Sequence, residues 1–83
     1  MNKSNQQQRT VQQVFDIVTS HGYYNPYLRK HFYMDSMIPR SSAGQRRSYY
    51  MCNALNFAEQ DGLITLDEYY QNANAIQNYL HHY

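Results

Sequence analysis

Apolar residues recur at helical spacing near the start of the chain. Four of them lie three or four residues apart and form a single stripe: Val11, Val14, Phe15 and Val18. Such a stripe is typical of a helix that buries one face. Thr10 or Ser4 is placed to cap its start, and Gly22 stands where a left-handed C-terminal cap belongs. The pattern predicts a first helix over residues 9–20.

A second stretch of helical spacing lies in the C-terminal half of the chain. Its apolar face consists of Met51, Ala54, Leu55 and Ala58. Gly62 is expected to end this helix, because glycine adopts the left-handed conformation of a C-terminal cap without strain. Leu63 can then fold back on the last turn, as in a Schellman motif. We therefore predict helix two over residues 45–61.

A third helix is predicted to begin almost at once. Thr65 and Glu68 have the spacing of a capping box, in which the hydroxyl and the carboxylate each accept a backbone N–H. Asp67 and Glu68 also suit the positive end of a helix dipole. The predicted helix covers residues 66–81, and its apolar positions are Tyr69, Ala73, Ile76, Leu80 and Tyr83. Helices two and three are thus expected to form a C-terminal hairpin.

The remaining parts of the chain carry weaker patterns. Residues 1–8 are polar and rich in Gln and Asn, so they are expected to be frayed. A short helix is predicted in the middle of the chain, made of Pro26, Tyr27, Leu28, Phe32 and Met34. Residues 34–44 hold Pro39 and a Ser-Ser-Ala-Gly run and are predicted to be a loop. The prediction is one all-α domain over residues 1–83, with three or four helices and the C-terminal helical hairpin.

Composition makes tyrosine part of the expected core. The chain has 83 residues with no Trp, and its aromatic residues are three Phe and ten Tyr. A core of this size rarely supplies more than about 3–5 kcal/mol, so oligomerisation or a partner would help. Three adjacent tyrosine pairs are present: Tyr23–Tyr24, Tyr49–Tyr50 and Tyr69–Tyr70. Adjacent positions cannot both face one core, so in each helical pair one ring can be buried while the other is at least partly exposed. Tyr69 is assigned to the core, while the exposed rings either form an interface or simply widen a thin core.

Positive charge is concentrated in the middle of the chain. Residues 26–48 carry a net charge of +4, whereas the rest of the chain carries −3. Arginine beside tyrosine suits either a protein hot spot or single-stranded nucleic acid, and the alternative here is a solvated loop. The candidate partner-binding residues are Arg40, Arg46, Arg47, Tyr49, Tyr50 and Tyr70.

Two familiar motifs fail on their chemistry. Alignment of Gly62 with the invariant glycine of an EF-hand loop puts Glu68 at the last position but Phe57 at the first, where calcium needs a carboxylate. Ala58 and Gly62 have helix-turn-helix spacing. The recognition helix of that motif would begin with Asp67 and Glu68, which DNA phosphates would repel. Neither calcium binding nor groove binding is predicted.

The residues that could ligate zinc or act as a nucleophile are scattered: His21, His31, Cys52, His81 and His82. They show no CxxC, HxxxH or other paired spacing, so surface histidines and a packed thiol are expected. A lone cysteine within a helix usually behaves as a small hydrophobe. No metal site, no cofactor and no catalytic residue is predicted, and the protein is expected not to be an enzyme.

The C-terminal part of the chain resembles small uncharacterised bacteriophage proteins. The shared pattern is a Met-Cys-x-Ala-Leu helix followed by Gly-x-Ile-Thr and a second helix, and it falls within residues 49–83. The matching positions are 49–55, Ala58, 62–65, Glu68 and 76–80. Such phage proteins are often non-enzymatic early factors. The resemblance therefore implies that the chain binds, and inhibits, a host or defence-system protein.

Three functional hypotheses follow. The first is an interaction protein of phage type with a host or defence-system partner. The second is a small RNA- or single-stranded-DNA-binding module that uses residues 26–48, and the third is a homo-oligomer with no other partner. No apolar run approaches the about 20 residues of a membrane span, and the first ten residues lack the apolar stretch of a signal peptide. No membrane association is predicted, and the expected location is the cytoplasm, that of the host cell for a phage protein.

Overall fold

Three α-helices make up the described part of the chain. The computed structural model describes residues 8–25 and 32–81. Its helices are α1 (Val11–Ser20), α2 (Ser42–Gln60) and α3 (Leu66–His81), and a single turn of 3₁₀ helix (Met34–Ser36) precedes α2. These two ranges contain no β-strand. The predicted all-α class with a C-terminal helical hairpin is confirmed.

Local hydrogen bonds determine both ends of α1. The Thr10 hydroxyl accepts a hydrogen bond from the Gln13 backbone N–H at 3.2 Å, and the Gln13 side chain accepts one from the Thr10 N–H at 2.8 Å. At the other end Gly22 has a φ of 84°, and the Tyr23 N–H donates to the Val18 carbonyl at 3.1 Å. This pattern is a Schellman motif. The helix begins two residues later than predicted because Thr10 is its cap.

The turn between α2 and α3 has the predicted chemistry. Gly62 has a φ of 84°, and the Leu63 N–H donates to the Ala58 carbonyl at 2.9 Å. Thr65 and Glu68 then form the capping box, with the Glu68 N–H donating to the Thr65 hydroxyl at 3.0 Å and the Thr65 N–H donating to the carboxylate at 2.9 Å. Because both devices are local, the sequence placed them correctly, and α3 has its predicted bounds.

Residues 34–44, predicted as a loop, are partly helical. Helix α2 begins at Ser42, three residues before its predicted start, because the Ser41 hydroxyl accepts a hydrogen bond from the Gly44 N–H at 2.8 Å. Met34–Ser36 is a turn of 3₁₀ helix. The loop prediction is therefore wrong for residues 34–36 and 42–44. The composition of the Ser-Ser-Ala-Gly run predicts a loop. Its first serine instead acts as the N-terminal cap of α2, because its hydroxyl satisfies an N–H group in the first helical turn.

Part of the predicted pattern falls outside the described ranges. Residues 26–31 of the predicted short helix, residues 1–7 of the polar lead-in and Tyr83 of the predicted α3 face all lie there. Of the short helix, Phe32 and Met34 are described: Phe32 is fully buried but not helical, which contradicts the prediction there, and Met34 begins the 3₁₀ turn.

The predicted apolar faces of α1 and α2 meet in one core. All four predicted positions of α2 are buried, and so are three of the four in α1, with Val11 half-buried. The ring of Phe32 lies 4.7 Å from that of Phe15 and 5.0 Å from that of Tyr24, measured between centroids. The buried apolar side chains are Val14, Phe15, Val18, Tyr24, Phe32, Met37, Met51, Ala54, Leu55, Ala58, Ile64 and Ile76. Both predicted faces are confirmed.

Two tyrosine pairs divide between core and surface as expected. Tyr24 is buried, whereas Tyr23 is half-buried and donates its hydroxyl to Asp61 at 2.6 Å. This hydrogen bond raises the pKa of the Tyr23 phenol. Tyr69 is half-buried and packs against the core, while Tyr70 is exposed. Tyrosine therefore does widen the thin core.

The pair in α2 departs from this rule. Tyr49 is 65% exposed and Tyr50 is 39% exposed, so neither ring is buried. Ser48 and Met51, on either side of the pair, occupy the positions that face the core. Neither ring enters the core here because the core-facing side of α2 is already full.

Helix α3 turns a partly polar face toward α1. Its buried residues are Glu68, Asn72 and Ile76, at four-residue steps. The Asn72 side chain donates to the Val11 carbonyl at 2.9 Å, and Arg9 forms an ion pair with Glu68 at 2.8 Å. Of the predicted apolar face only Ile76 is buried. The other described members are half-buried: Tyr69, Ala73 and Leu80. The buried face is rotated because residues preceding and beginning α1 supply partners for the polar side chains.

Gly44 lies where α2 and the segment before it come closest. A Cβ at this position would lie 2.8 Å from the Ile38 carbonyl carbon, with two other Ile38 backbone atoms nearer still. We expect Gly44→Ala to lower the free energy of unfolding by about 1–3 kcal/mol, because backbone atoms must move to make room. Urea denaturation measures this change. Glycine to alanine at an open helix position instead stabilises by up to about 1 kcal/mol, so an unchanged or raised stability contradicts the close approach. Ala43→Gly, at the exposed neighbouring position, serves as the control for helix propensity alone.

Candidate functional site

Aromatic side chains cluster on the solvent side of α2. Tyr49 and Phe57 are 65% and 57% exposed, and Tyr50 is 39% exposed. The rings of Tyr49 and Tyr50 lie 6.1 Å apart between centroids and are tilted by 55°. The opposite side of the same helix is buried in the core. The aromatic groups of α2 therefore lie on the side that has no partner within the described chain, while its buried side carries none.

Six of the ten exposed residues of α2 form a regular stripe. They follow one another at alternating steps of three and four residues, which keeps them on one side of a helix. We call this set the outer stripe, and its members are Ala43, Arg46, Tyr50, Asn53, Phe57 and Gln60. All six are exposed, and none carries a negative charge. Tyr49 lies at the margin of the stripe.

The three candidate arginines separate into two roles. Arg40, just before α2, and Arg46, on the outer stripe, are exposed, and neither forms an ion pair with a described carboxylate. Arg47 is half-buried, and its guanidinium donates a hydrogen bond to the Ser36 carbonyl at 2.7 Å. This contact ties α2 to the 3₁₀ turn. Arg40 and Arg46 are therefore available to a partner, whereas Arg47 has a structural contact.

The last candidate, Tyr70, lies on a different helix. It is 54% exposed, and its ring packs beside Tyr69 with centroids 5.4 Å apart rather than beside the α2 tyrosines. Leu66, four residues earlier on α3, is 51% exposed. The structure thus groups Arg46, Tyr49 and Tyr50 on α2 and leaves Tyr70 with a separate set of neighbours.

Sequence reasoning missed Phe57 and Asn53 as surface residues of this site. Phe57 has no place on the predicted apolar faces and is considered in the sequence only as the first position of a calcium loop. Its position carried a usable signal, because it lies seven residues after Tyr50 and falls between the core positions Leu55 and Ala58. A residue on that register points away from the core. A search for a second stripe at helical spacing, opposite the first, would have found both residues.

A polar cluster joins α3 to the segment before α1. The Glu68 carboxylate accepts hydrogen bonds from the Arg9 side chain at 2.8 and 2.9 Å and from the Arg9 backbone N–H at 3.1 Å. Arg9 therefore lowers the pKa of Glu68 to about 2. Gln71 donates to the Arg9 carbonyl at 3.0 Å and also accepts a hydrogen bond from Gln8, which was expected to be frayed. A general acid or base works best with a pKa near neutrality, so this cluster suits stability better than catalysis.

The remaining reactive groups among the described residues do not assemble into a site. Burial raises the pKa of the half-buried Cys52 thiol, which lowers the fraction of reactive thiolate at neutral pH. Across residues 8–25 and 32–81, no three histidine, cysteine or carboxylate side chains lie close enough together to hold a metal ion. In the same ranges, no helix has both the length and the apolar character that a membrane crossing requires.

Comparison with known proteins adds no relative to this picture. The chain matches no protein-family model, no curated protein and no solved structure. The outer stripe of α2, with Arg40 and Tyr49 beside it, is therefore identified from its own geometry as the candidate site.

Proposed function

We propose that this protein is a non-enzymatic interaction protein that binds a protein partner through the outer stripe of α2 and the adjacent Arg40. The observation that carries the proposal is the exposure of Tyr49, Tyr50 and Phe57 on a helix whose other side is packed in the core. Scattered apolar residues are common on protein surfaces. Aromatic rings grouped on one side of a helix, beside an arginine that pairs with no described carboxylate, have the composition of a binding hot spot.

The partner that we propose is a host or defence-system protein, which the chain, as a phage-type factor, binds and inhibits. The resemblance of residues 49–83 to small bacteriophage proteins supports this choice. Within the resembling block, Met51 and Leu55 are core residues and bear only on a common fold. Tyr49 and Tyr50 are exposed, and they are the part of the block that bears on binding.

The alternative function is binding of RNA or single-stranded DNA. The observation that favours it is the position of Arg46 one helical turn before two exposed tyrosine rings, because bases stack on such rings and phosphates pair with arginine. Among the described residues of the basic segment, two accessible arginines are few for an electrostatic site, since Arg47 already donates to a backbone carbonyl. Nucleic-acid affinity should fall steeply with added salt, whereas a contact made mainly by aromatic rings should change much less.

Arg46→Ala is expected to weaken partner capture at least tenfold, equivalent to about 1.4 kcal/mol, while leaving the fold intact. Its side chain is exposed, and such substitutions usually change stability by less than about 0.5 kcal/mol. The tagged protein is used to capture partners from a bacterial lysate, with and without nuclease, and the captured protein is quantified for each variant. Phe57→Ala should have a similar effect, and nuclease should have none.

Two control variants make this experiment specific. Arg47→Ala removes the hydrogen bond to the Ser36 carbonyl, so it should lower the free energy of unfolding by about 1–3 kcal/mol without removing a stripe residue. Gln77→Ala changes an exposed residue of α3 and should alter neither property. Capture that survives Arg46→Ala and Phe57→Ala in folded protein contradicts the proposal. Capture that disappears with nuclease supports the nucleic-acid alternative instead.

A further inference from the structure

We propose that Asp61 is a site of spontaneous backbone isomerisation to isoaspartate, and that the hydrogen bond from Tyr23 holds this reaction back in the folded protein. Asp61 is followed by Gly62, and no other aspartate or asparagine of the chain precedes a glycine. Glycine has no side chain to shield its backbone nitrogen, and it leaves the chain free to rotate into the geometry that ring closure needs. The sequence therefore has one position at which this reaction is intrinsically fast, and the reaction needs no partner.

The reaction is a dehydration followed by a hydration. The Gly62 backbone nitrogen attacks Cγ of Asp61, and the carboxyl group releases a hydroxyl, which departs with the proton of that nitrogen as water. The product is a five-membered succinimide ring. Water then adds to one of the two ring carbonyls. Opening at the former backbone carbonyl gives isoaspartate, in which the main chain passes through Cβ, and opening at the other carbonyl restores aspartate.

The backbone of Asp61 is turned away from the geometry of ring closure. A succinimide requires Cβ of Asp61 and the Gly62 nitrogen to be nearly eclipsed about the Cα–C bond. With a ψ of −4°, the Gly62 nitrogen instead eclipses the Asp61 nitrogen, so Cβ lies about a third of a turn away. The Gly62 N–H also donates a hydrogen bond to the Glu59 carbonyl at 3.0 Å. Attack by this nitrogen therefore requires the C-terminal cap of α2 to open locally.

Tyr23 restrains the carboxyl group that would be attacked. Its hydroxyl donates to Oδ2 of Asp61 at 2.6 Å, between residues 38 positions apart in the chain. Tyr23 is itself fixed, because its N–H donates to the Val18 carbonyl at 3.1 Å and its ring packs against the core. Asp61 is exposed, so water has access to it. Its carboxyl group must leave the phenol before Cγ can approach the Gly62 nitrogen.

Isomerisation at this position would disrupt the α2–α3 hairpin. Isoaspartate adds one methylene group to the main chain between the last turn of α2 and Gly62. The turn is closed by the hydrogen bond from the Leu63 N–H to the Ala58 carbonyl at 2.9 Å, and Ile64 just after it is buried. Both features depend on the number of backbone atoms in the turn. The contact made by Tyr23 therefore protects the fold against a slow chemical change.

Replacement of Tyr23 by phenylalanine tests this restraint, because the variant keeps the ring and loses only the hydroxyl. The full-length parent and Tyr23→Phe are incubated at neutral pH below their melting transitions. Cleavage after Glu59 and Glu68 then releases the peptide of residues 60–68, in which isoaspartate is quantified by chromatography. We expect isoaspartate at Asp61 to form about two- to tenfold faster in the variant, the factor by which loss of one hydrogen bond shifts a local opening equilibrium.

Three controls separate this restraint from general instability. Asp67 lies in the same peptide but within α3 and before a glutamate, so it should form no isoaspartate in either protein. Arg47→Ala loses a hydrogen bond near the other end of α2 and should isomerise at Asp61 at the rate of the folded parent. In concentrated urea, where the contact with Tyr23 is absent, the parent and Tyr23→Phe should isomerise equally fast, and faster than the folded parent.

Circular dichroism melting confirms that each variant is folded in the absence of urea. Equal rates in the folded parent and folded Tyr23→Phe overturn the protective role of Tyr23. So does an Arg47→Ala chain that isomerises as fast as Tyr23→Phe, because global unfolding would then be the route. A parent chain that forms no isoaspartate at Asp61 even in urea overturns the site itself.

Discussion

Glu68→Gln is expected to lower the free energy of unfolding by about 2–4 kcal/mol, a large part of the stability of a domain of this size. The Glu68 side chain is 3% exposed, and its two oxygens accept hydrogen bonds from Arg9 at 2.8 and 2.9 Å and from the Thr65 N–H at 2.9 Å. The neutral amide of the variant has no ionic attraction to Arg9. Its NH2 group would also face the N–H donors that the carboxylate accepts in the parent chain. The loss falls short of that for a fully buried pair because the Arg9 side chain is 36% exposed.

Urea denaturation at neutral pH measures this loss, and Asp67→Asn is the matched control. Asp67 is the preceding residue, in the same first turn of α3, but it is exposed. Its substitution removes only a favourable interaction with the helix dipole, worth about 0.3–1 kcal/mol. Equal effects of the two substitutions would show that the ion pair with Arg9 contributes nothing of its own.

The same carboxylate gives the stability of the parent chain a defined dependence on pH. Hydrogen bonding to Arg9 lowers the pKa of Glu68 from 4.5 to about 2 in the folded protein. The unfolded chain therefore binds this proton at a higher pH than the folded one. The ionised Glu68 therefore contributes about 2–3 kcal/mol to the free energy of unfolding above about pH 5, and this contribution is lost as the pH falls toward 2. Glu68→Gln should lack this part of the pH dependence.

Leu55→Ala is expected to destabilise the protein by about 2–5 kcal/mol, the range for removal of a fully buried leucine side chain. Leu55 is 0% exposed and lies at the middle of the core face of α2, with Met51 and Ala58 on the same side. The side chains around the cavity can relax only in part, so most of the lost contacts are not replaced. Chemical denaturation or thermal melting measures the loss.

The matched control for Leu55 is Phe57→Ala, two residues along the same helix. Phenylalanine is the larger side chain, but this one is 57% exposed on the outer stripe. Phe57→Ala should therefore lower the free energy of unfolding far less than Leu55→Ala. A larger loss at Phe57 than at Leu55 would mean that the two sides of α2 had been exchanged.

The candidate site was predicted only in part. The sequence singled out Arg46, Tyr49 and Tyr50 because arginine and paired tyrosines are typical of interfaces. It could not separate Arg46 from Arg47, since both are arginines in the same turn of a predicted helix. The difference between them is the position of the Ser36 carbonyl, 11 residues away along the chain. Nor did it predict that both rings of the α2 tyrosine pair would face solvent.

The sequence by itself determined the three helices, the N-terminal caps of α1 and α3, the glycine turns that end α1 and α2, and two of the buried faces. Each depends on residues within five positions of one another: Thr10 with Gln13, Gly62 with Leu63 and Ala58, Thr65 with Glu68. Caps and apolar stripes are local because helical hydrogen bonds and side-chain neighbours are local.

Only the tertiary structure decided which face of α3 is buried against α1. It also decided which residues of α2 contact the segment that precedes this helix. Glu68 and Arg9 are 59 positions apart, and Asn72 and Val11 are 61 apart. A capping carboxylate and an asparagine within a helix give no local sign that they will be buried. Their burial is stable because a particular distant segment supplies the donors and acceptors that water would otherwise provide, and the chain must fold before those partners meet.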